Sequence, residues 1–315
     1  MKLGIVGSGM IVHDLLSFVS DISTIAVEGI YARSKEKVQT LQDKHSIKTT
    51  YVNYEDMLHN QQIDTVYIGL PNHLHYEYAK KALLQGKHVI CEKPFTSTLN
   101  EFNELQELSC QQQLMLLEAI SNQYQEQYIA LKRSLPKLGD IKVIECNYSQ
   151  YSSRYKDFKD GIIHPVFDPS MAGGALMDIN IYCIHFVVGL FGLPDQVQYF
   201  PNNENGIDTS GILIMDYGSF KSVCIGAKDS SASPSINIQG NKGSIHIQHS
   251  ANHVESFTLN EYGGDSTFVR SENSTHRMYD EFVSFAAMIE NEDLDQAIKR
   301  LEHSERVMQV LDKVK

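Results

Sequence analysis

Tryptophan is absent from the 315-residue sequence, and so is any unbroken apolar run of the roughly 18 residues that a membrane-spanning helix needs. The first residues, Met1–Val6, run straight into an apolar strand pattern, which leaves no room for a signal peptide. We therefore expect a cytoplasmic protein that does not have a membrane as a partner. Internal repeats and low-complexity tracts are also lacking, so a repeat array is excluded.

Cysteine and positive charge are scarce as well. The five cysteines contain no C-x-x-C pair, so neither a disulfide framework nor a zinc site is expected. Four of them stand in apolar or strand-like runs, which favours buried thiols in a reducing compartment. The formal net charge of −12 repels nucleic acid and anionic membranes, so neither is an expected partner. The cysteines are Cys91, Cys110, Cys146, Cys183 and Cys224.

The remaining composition, 42% hydrophobic and 21% charged, is typical of a globular protein with a core. The first part of the chain alternates strand-like and helical patterns, and repeated βα units predict a parallel sheet with helices on both faces. Thr98-Leu99-Asn100-Glu101 has the spacing of a helix capping box, and Gly86 suits a left-handed helix end. The predicted strands are Leu3–Val6, Thr24–Tyr31, Asp64–Leu70, His88–Cys91 and Leu114–Glu118.

After Leu135 the pattern changes to alternating strands joined by short glycine-containing turns, which predicts a mainly antiparallel sheet. Two helices, 276–290 and 294–314, are expected to finish the chain. The predicted strands of this part are Ile141–Tyr151, Ile212–Met215, Lys221–Ile225, Ile236–Gln239, Ser244–Gln248 and Glu255–Leu259.

Gly7-Ser8-Gly9-Met10-Ile11-Val12 follows the first strand and opens a helix, as a dinucleotide fingerprint requires. Val12 occupies the third glycine position, so helix and strand are expected to pack slightly further apart. The alternative is an ordinary strand-to-helix turn. The position of this motif at the start of a βα series favours the cofactor interpretation. The residues predicted to contact the cofactor are Gly7, Ser8, Gly9, Met10 and Ile11.

The second strand ends in Tyr31-Ala32-Arg33-Ser34 without the acid that usually holds the ribose 2′-hydroxyl of NAD. Glu28 lies earlier, inside the strand. Arg33 offers a planar donor fork for a 2′-phosphate, and Ser34 either adds a hydroxyl or caps the next helix. We therefore predict that Ala32, Arg33 and Ser34 bind NADP in preference to NAD.

Leu70-Pro71-Asn72-His73-Leu74-His75 follows the third long strand. Its H-x-H pair has no third ligand at a suitable spacing, and Asn72 is a good helix N-cap, so no metal is expected. We predict that this loop lines the nicotinamide side of the crevice through Leu70, Pro71, Asn72 and His75.

Glu92-Lys93-Pro94 closes the next strand, so Lys93 is predicted to point into the crevice at the carboxyl end of the sheet, where open α/β sheets bind ligands. Taken alone, Lys93 is also compatible with a surface lysine or a phosphate contact. Further along, Asp178, Tyr182 and His185 stand at i, i+4 and i+7 of an apolar helix that opens at Gly173. This polar face is either a buried hydrogen-bond network or part of a site.

Together these motifs resemble the glucose-fructose oxidoreductase / inositol dehydrogenase / MocA family over essentially the whole chain. The resemblance is strongest to the branch of dimeric dihydrodiol dehydrogenase and glucose-fructose oxidoreductase. In that branch a tyrosine follows the aspartate by four residues, as Tyr182 follows Asp178 here. Relatives in this branch often carry tryptophan and arginine shortly after Glu118-Ala119, where this chain has Ser121 and Gln123. The matching elements are Gly7-Ser8-Gly9, Pro71-Asn72 with His75, Glu92-Lys93-Pro94, Glu118-Ala119, Gly173–Asp178 and Gly240-Asn241-Lys242-Gly243.

The resemblance implies an α/β protein. A dinucleotide-binding Rossmann domain (1–120) is followed by a substrate-binding and oligomerisation α+β domain (121–315) with a large open, mainly antiparallel sheet. It also implies a sugar, polyol or diol substrate and a homodimer, or a higher homo-oligomer, formed through that sheet. Glu92 and Lys93 would contact the cofactor.

The predicted reaction is reversible hydride transfer between NADP(H) and a hydroxyl or carbonyl carbon. Tyr182 is the candidate acid/base, and the Lys93 ammonium would lower its pKa from the usual value of about 10. Asp178 would orient Lys93 or a substrate hydroxyl. In the rival assignment Lys93 donates the proton and Tyr182 only positions the substrate.

Two further site assignments and two alternative functions follow from the same motifs. His185 is the second choice of acid/base, and Arg154 with neighbouring aromatic residues of 148–168 would line the substrate pocket. The main alternative function is a non-catalytic NADP-binding sensor on the same fold. It is disfavoured because a sensor needs no proton relay. A purely structural protein is less favoured still.

Overall fold

The computed structural model describes residues 1–271 and 276–314. They form two compact units, one of 1–119 with 278–305 and the other of 120–277 with 306–315. The sequence-based boundary at 120/121 lies next to the first of these division points. The return of 278–305 to the first unit was not anticipated. Phe282 explains it, because its ring packs 5.9 Å from that of Phe18 and 5.6 Å from that of Tyr67, measured between centroids.

The first unit contains a six-stranded sheet in the order β3-β2-β1-β4-β5-β6, in which every pairing is parallel. This confirms the predicted Rossmann-type sheet. The strands are β1 Lys2–Val6, β2 Ala26–Tyr31, β3 Thr49–Tyr51, β4 Thr65–Ile68, β5 His88–Glu92 and β6 Leu116–Ala119. The helices are α1 Met10–Leu16, α2 Lys35–His45, α3 Tyr54–Leu58, α4 His75–Leu84, α5 Leu99–Gln112, α9 Tyr279–Glu290 and most of α10 Leu294–Asp312.

Local signals explain where several of these elements begin and end. All four residues of β4 are fully buried, as expected for a parallel strand that is covered on both faces. Thr98 Oγ1 accepts the Glu101 N–H at 3.2 Å while the Glu101 carboxylate accepts the Thr98 N–H at 3.1 Å, so the predicted capping box starts α5. Gly86 follows α4 with φ +70°, also as predicted. α4 itself begins at His75, after a 3-10 turn over Asn72–Leu74.

The second unit contains an eight-stranded sheet in the order β14-β13-β12-β11-β7-β10-β9-β8. Only β7 and β10 pair in parallel among the described strands, which confirms a mainly antiparallel sheet. The edge strands β8 and β14 were not anticipated, because both are largely exposed and lack a clear apolar alternation. The strands are β7 Ile141–Ser149, β8 Gln196–Glu204, β9 Ile207–Asp216, β10 Lys221–Ala227, β11 Ser235–Gly240, β12 Gly243–Ile247, β13 Ser256–Glu261 and β14 Ser266–Arg270.

The helices of this unit are α6 Glu126–Ser134, α7 Tyr155–Lys159 and α8 Ile181–Phe191. A π-helical turn, Leu176–Asn180, leads into α8, whereas the sequence predicted a single α-helix opening at Gly173. The helical stretch Pro169–Phe191 is long and apolar enough to cross a membrane, but 78% of its most apolar window is buried inside the protein, as in a core helix.

The cysteines follow the predicted pattern of burial. Cys91, Cys146, Cys183 and Cys224 are buried and Cys110 is exposed, and all five are free thiols. Burial raises the pKa of the Cys91, Cys146 and Cys224 thiols well above the usual value, so these groups are protonated and unreactive near neutrality.

Candidate functional site

The turn between β1 and α1 brings bare backbone to the end of the parallel sheet. Gly7 donates its N–H to Tyr31 O at 2.8 Å and has φ +124°, a conformation that favours glycine. A Cβ on Gly7 would lie 2.3 Å from Gly69 O, whereas a Cβ on Gly9 would meet no atom within 4 Å. The first glycine is therefore required by the fold, and the second leaves open space beside the backbone.

Val12, at the third glycine position, is fully buried. Its Cγ2 atom lies 3.0 Å from the point that a Cβ on Gly69 would occupy. Gly69 directly follows β4, so a glycine just beyond the neighbouring strand makes room for the side chain that the fingerprint motif normally lacks.

A cavity of about 270 Å³ opens at this turn. It brings together eight of the predicted cofactor residues, whereas Met10, Ile11, Asn72, His75, Glu92 and Lys93 do not line it. Five lining residues were missed: Tyr31, Lys37, Gly69, Leu74 and Tyr78. The predicted residues that line it are Gly7, Ser8, Gly9, Ala32, Arg33, Ser34, Leu70 and Pro71.

The far end of the cavity carries two cations. Arg33 and Lys37 both line it, and no carboxylate stands among its described lining residues. Ser34 caps α2, because its Oγ accepts the Lys37 N–H at 3.3 Å. Glu28 is buried and its two carboxylate oxygens accept hydrogen bonds from Lys48 Nζ at 2.7 and 2.9 Å. This end is therefore suited to a phosphate.

Tyr78 completes that end of the cavity from α4. Its ring packs 4.7 Å from the ring of Tyr54, and its hydroxyl lies 3.3 Å from the hydroxyl of Tyr31. Burial is the main cause that raises the pKa of Tyr78, with Arg33 opposing it, so the phenol is a neutral hydrogen-bond donor. The only sequence signal was its position one helical turn after Leu74.

His75 lies behind the loop rather than in the cavity. It is fully buried, with Nδ1 2.9 Å from Pro94 O and Nε2 2.8 Å from Leu70 O. It thus joins the loop that follows β4 to the loop that follows β5. Burial is the main cause that lowers its pKa.

The strand-end triplet is built around a buried carboxylate. Glu92 accepts a hydrogen bond from the hydroxyl of Tyr67 at 2.8 Å, and both residues are buried. Lys93 is half-buried and is joined to Pro94 by a cis peptide bond. Lys93 belongs to the first unit, whereas Asp178 and Tyr182 belong to the second.

Asp178 and Tyr182 share an accessible face on the second unit. Every other residue from Gly174 to Val188 is buried. His185 is fully buried, and its carbonyl oxygen accepts a hydrogen bond from Gln123 Nε2 at 2.9 Å. The structure therefore brings the first two predicted residues together and places His185 in the core.

Asp178 stands on the π-helical turn, a rare conformation that often occurs at functional sites. Its carboxylate pairs with the ammonium of Lys228, a buried residue that was not predicted from the sequence. The signal was a lysine directly after the apolar strand β10. Lys228 also donates to Val166 O at 3.0 Å.

The neighbouring segment 148–168 is polar and aromatic. The ring of Tyr148 packs 5.8 Å from that of Tyr182. Tyr155 donates to Glu204 at 2.6 Å, which raises the pKa of its phenol to about 12. His164 Nε2 lies within hydrogen-bond distance of Asp157 Oδ2, at 2.7 Å. Arg154 is half-buried at the start of α7, and its backbone N–H donates to Ser152 Oγ at 3.3 Å.

Comparisons with known proteins cover both units. The model for the GFO/IDH/MocA oxidoreductase family with an NAD-binding Rossmann fold matches residues 1–119, and the GFO/IDH/MocA C-terminal domain matches residues 136–246. Scyllo-inositol 2-dehydrogenase (NADP(+)) of Bacillus subtilis (strain 168) is 34% identical over 250 residues, which are 78% of this chain and 76% of that protein. Trans-1,2-dihydrobenzene-1,2-diol dehydrogenase of Xenopus tropicalis is 28% identical over 254 residues, 78% of this chain and 74% of that protein.

Among solved structures, a 3-ketoreductase from Actinomadura kijaniata in complex with TDP-benzene and NADP superposes with a TM-score of 0.86. The superposition covers 100% of this chain and 96% of that chain at 17% identity, a likeness that shows the fold. The predicted family is therefore confirmed, and with it an oxidoreductase that uses a nicotinamide cofactor. The chain belongs to the GFO/IDH/MocA family of oxidoreductases.

Proposed function

We propose that the protein is an NADP-dependent dehydrogenase or reductase that acts on a CH–OH carbon of a sugar, polyol or diol. The observation that carries the cofactor choice is the cavity end formed by Arg33, Ser34 and Lys37, with no carboxylate among the lining residues that the structure describes. Two cations and a hydroxyl match a 2′-phosphate, whereas a free ribose hydroxyl is normally held by an acid. When bound, the nicotinamide supplies or accepts the hydride.

The chain's own residues then have to place the substrate and move one proton. In this proposal Tyr182 exchanges the proton with the reacting oxygen, and the Lys93 ammonium favours the phenolate and binds the same oxygen. The rival assignment, with Lys93 as the proton donor, stays open. His185 is the weaker candidate because it is fully buried in the core.

The proposed substrate class is supported by the relatives and by the accessible face of the second unit. The relatives are named for scyllo-inositol, for a dihydrobenzene diol and, in Haloferax volcanii, for D-xylose, all of which carry several hydroxyl groups. Asp178 offers a carboxylate acceptor beside Tyr182, and a carboxylate binds hydroxyl donors strongly. Arg154 and Tyr148 are proposed as further substrate contacts.

A cytoplasmic homodimer is part of the same proposal. Phe200 is 55% exposed and Ile212 is 42% exposed, and the two are register partners on β8 and β9. Ile225 is the next partner along the sheet, on β10. An apolar stripe on an open sheet face fits a second copy of the same chain. Light scattering at micromolar concentration is expected to give the mass of a dimer, and a monomer would contradict this.

The decisive experiment is a panel of aldoses, polyols and diols, followed by the absorbance of reduced nicotinamide with NAD and with NADP. We expect turnover with at least one polyol or diol and a preference for NADP. A clear preference for NAD would overturn the assignment of Arg33 and Lys37. Tight NADPH binding without turnover of any substrate would instead favour the non-catalytic sensor.

A further inference from the structure

Lys228 is an ion-paired side chain that is almost fully enclosed in the second unit, with only 3% of its side-chain surface exposed. Lysine is almost never buried to this extent unless its charge is compensated. Here the ammonium pairs with Asp178, donates to Val166 O at 3.0 Å and lies 4.7 Å from the centre of the Phe167 ring.

These contacts join three distant parts of the chain. Asp178 belongs to the π-helical turn, Val166 and Phe167 belong to the polar and aromatic segment 148–168, and Lys228 follows β10. The backbone of Lys228 is itself fixed, since its N–H donates to Thr209 O at 2.8 Å. The ammonium of Lys228 therefore joins the segment 148–168 and the π-helical turn to the end of β10.

A second carboxylate fixes the start of the same turn. Asp208 accepts the backbone N–H of Leu176 at 2.7 Å and the hydroxyl of Tyr199 at 2.6 Å. Asp208 directly precedes Thr209, whose carbonyl oxygen accepts the Lys228 N–H. The turn that carries Asp178 is thus held at its first residue by Asp208 and at its carboxylate by Lys228.

The exposure of Asp178 separates it from an ordinary buried ion pair. Its side chain is 32% exposed, so the pair is covered on the lysine side and open on the carboxylate side. Burying the lysine costs desolvation energy, and an exposed partner does not increase the stability that the ion pair returns. A contribution to folding stability alone therefore does not explain this asymmetry. The asymmetry suits a carboxylate that is held in place for a ligand.

We propose that Lys228 is a positioning residue that holds the Asp178 carboxylate ionised and aimed at the hydroxyl groups of the substrate, and that couples the segment 148–168 to the same point. This inference rests on the proposed function. It makes Asp178 a fixed acceptor of hydroxyl hydrogen bonds rather than a general base, and it therefore selects substrates with a hydroxyl beside the reacting carbon.

The test compares Lys228→Met, Lys228→Gln and Lys228→Arg with Asp178→Asn and with the double variant Lys228→Met/Asp178→Asn. Methionine has a similar volume, and the Asp178 carboxylate that it leaves without the ammonium is 32% exposed, so water limits the cost of breaking the pair. Lys137→Met is the control, because Lys137 is exposed and pairs with Glu261 at 3.2 Å in the same unit. Steady-state kinetics with the best substrate of the panel, pH profiles and NADPH titrations are measured for each variant.

Lys228→Met is expected to raise KM about 10-fold to 100-fold, since a hydrogen bond to a charged group is lost from the substrate. The NADPH dissociation constant should change less than about twofold. The acid limb of kcat/KM should move to higher pH, because a carboxylate that loses its ammonium partner has a higher pKa. Lys228→Arg should restore the position of the acid limb in part, whereas Lys228→Gln should not. The KM of the double variant should be no higher than that of Asp178→Asn.

An unchanged KM and an unchanged acid limb in Lys228→Met would overturn the proposal, as would full additivity in the double variant. If the wild-type protein turns over no substrate, the proposed function fails separately. Amide hydrogen exchange then shows whether Lys228 holds the segment and the turn in place. In peptides that cover 148–168 and 174–182, the amides of Lys228→Met should exchange faster than those of Lys137→Met. Equal exchange rates would exclude this role. If Lys228→Met does not fold, Lys228→Gln and Lys228→Arg carry the same comparison.

Discussion

Val12 and Gly69 are complementary positions in the dinucleotide turn, because Val12 Cγ2 fills the space beside Gly69 that a Cβ there would need. Gly69→Ala is therefore expected to destabilise the protein by about 1–3 kcal/mol through overpacking. Val12→Ala in the same background should recover part of this loss, since Tyr67 and Ile11 also approach the new methyl group. Urea unfolding of the single and double variants measures the recovery, and strict additivity would contradict the complementarity.

Gly9→Ala separates stability from cofactor binding. A Cβ at Gly9 meets no atom within 4 Å and the residue has φ −83°, so the free energy of unfolding should hardly change. The methyl group would project into the cavity, so the affinity for NADPH should fall clearly. Fluorescence titration with NADPH and urea unfolding give the two values. Unchanged affinity would remove this turn from the cofactor site.

Arg33→Ala and Lys37→Ala should each weaken NADPH binding about 10-fold to 100-fold, because each removes a charged hydrogen bond to the 2′-phosphate. NADH binding should change little. Lys35→Ala is the matched control, since Lys35 is exposed in the first turn of α2 and does not line the cavity. Equal losses for NADPH and NADH would mean that these cations do not read the 2′-phosphate.

Tyr182→Phe should lower kcat by about 10²–10⁴ without changing the NADPH dissociation constant, since it removes only the proton-transfer hydroxyl. Lys93→Met distinguishes the two assignments of the proton donor. If Tyr182 exchanges the proton, the basic limb of the pH profile should move to higher pH once the ammonium is gone. If Lys93 is the donor, that limb should disappear. Near-wild-type turnover of Tyr182→Phe would refute its role.

The stability of the folded protein should fall in acid, in part because of His88 at the start of β5. Burial lowers its pKa, and Nδ1 accepts the Met115 N–H at 3.0 Å, so the folded protein needs the neutral ring. Unfolded histidine titrates near 6.5, so this stability is present above about pH 6.5 and is lost as the pH falls below it. His88→Asn keeps an acceptor without titrating, so its urea midpoint should fall less with acid.

His75, whose pKa burial also lowers, acts in the same direction, so His88→Asn should remove only a part of the acid sensitivity. An equal acid-induced loss in the wild-type protein and in His88→Asn would show that His88 does not contribute.

The sequence was sufficient wherever the signal is local. Gly7-Ser8-Gly9, the capping box at Thr98 and the polar face of Asp178 and Tyr182 depend on residues a few positions apart, and each was found. The π-helical turn at Leu176–Asn180 was missed, because it follows from tertiary contacts rather than from periodicity.

Residues that meet only in the fold were missed for the same physical reason. Lys37 and Tyr78 reach the cavity from two different helices, and Lys228 reaches Asp178 from 50 residues away. Phe282 likewise returns to the first unit from near the end of the chain. The sequence marks only the positions of Tyr78, one helical turn after Leu74, and of Lys228, directly after β10, and it does not reveal their partners.

The position of His75 between Leu70 O and Pro94 O has a thermodynamic consequence. One loop lines the cofactor cavity and the other carries Lys93, so a ligand that prefers one arrangement of the first loop also shifts the equilibrium of the second. By linkage the effect is reciprocal, so a ligand that shifts the loop of Lys93 should change cofactor affinity by the same factor by which the cofactor changes the affinity for that ligand. Cofactor binding and the arrangement of the loop that carries Lys93 are thus two readouts of one equilibrium.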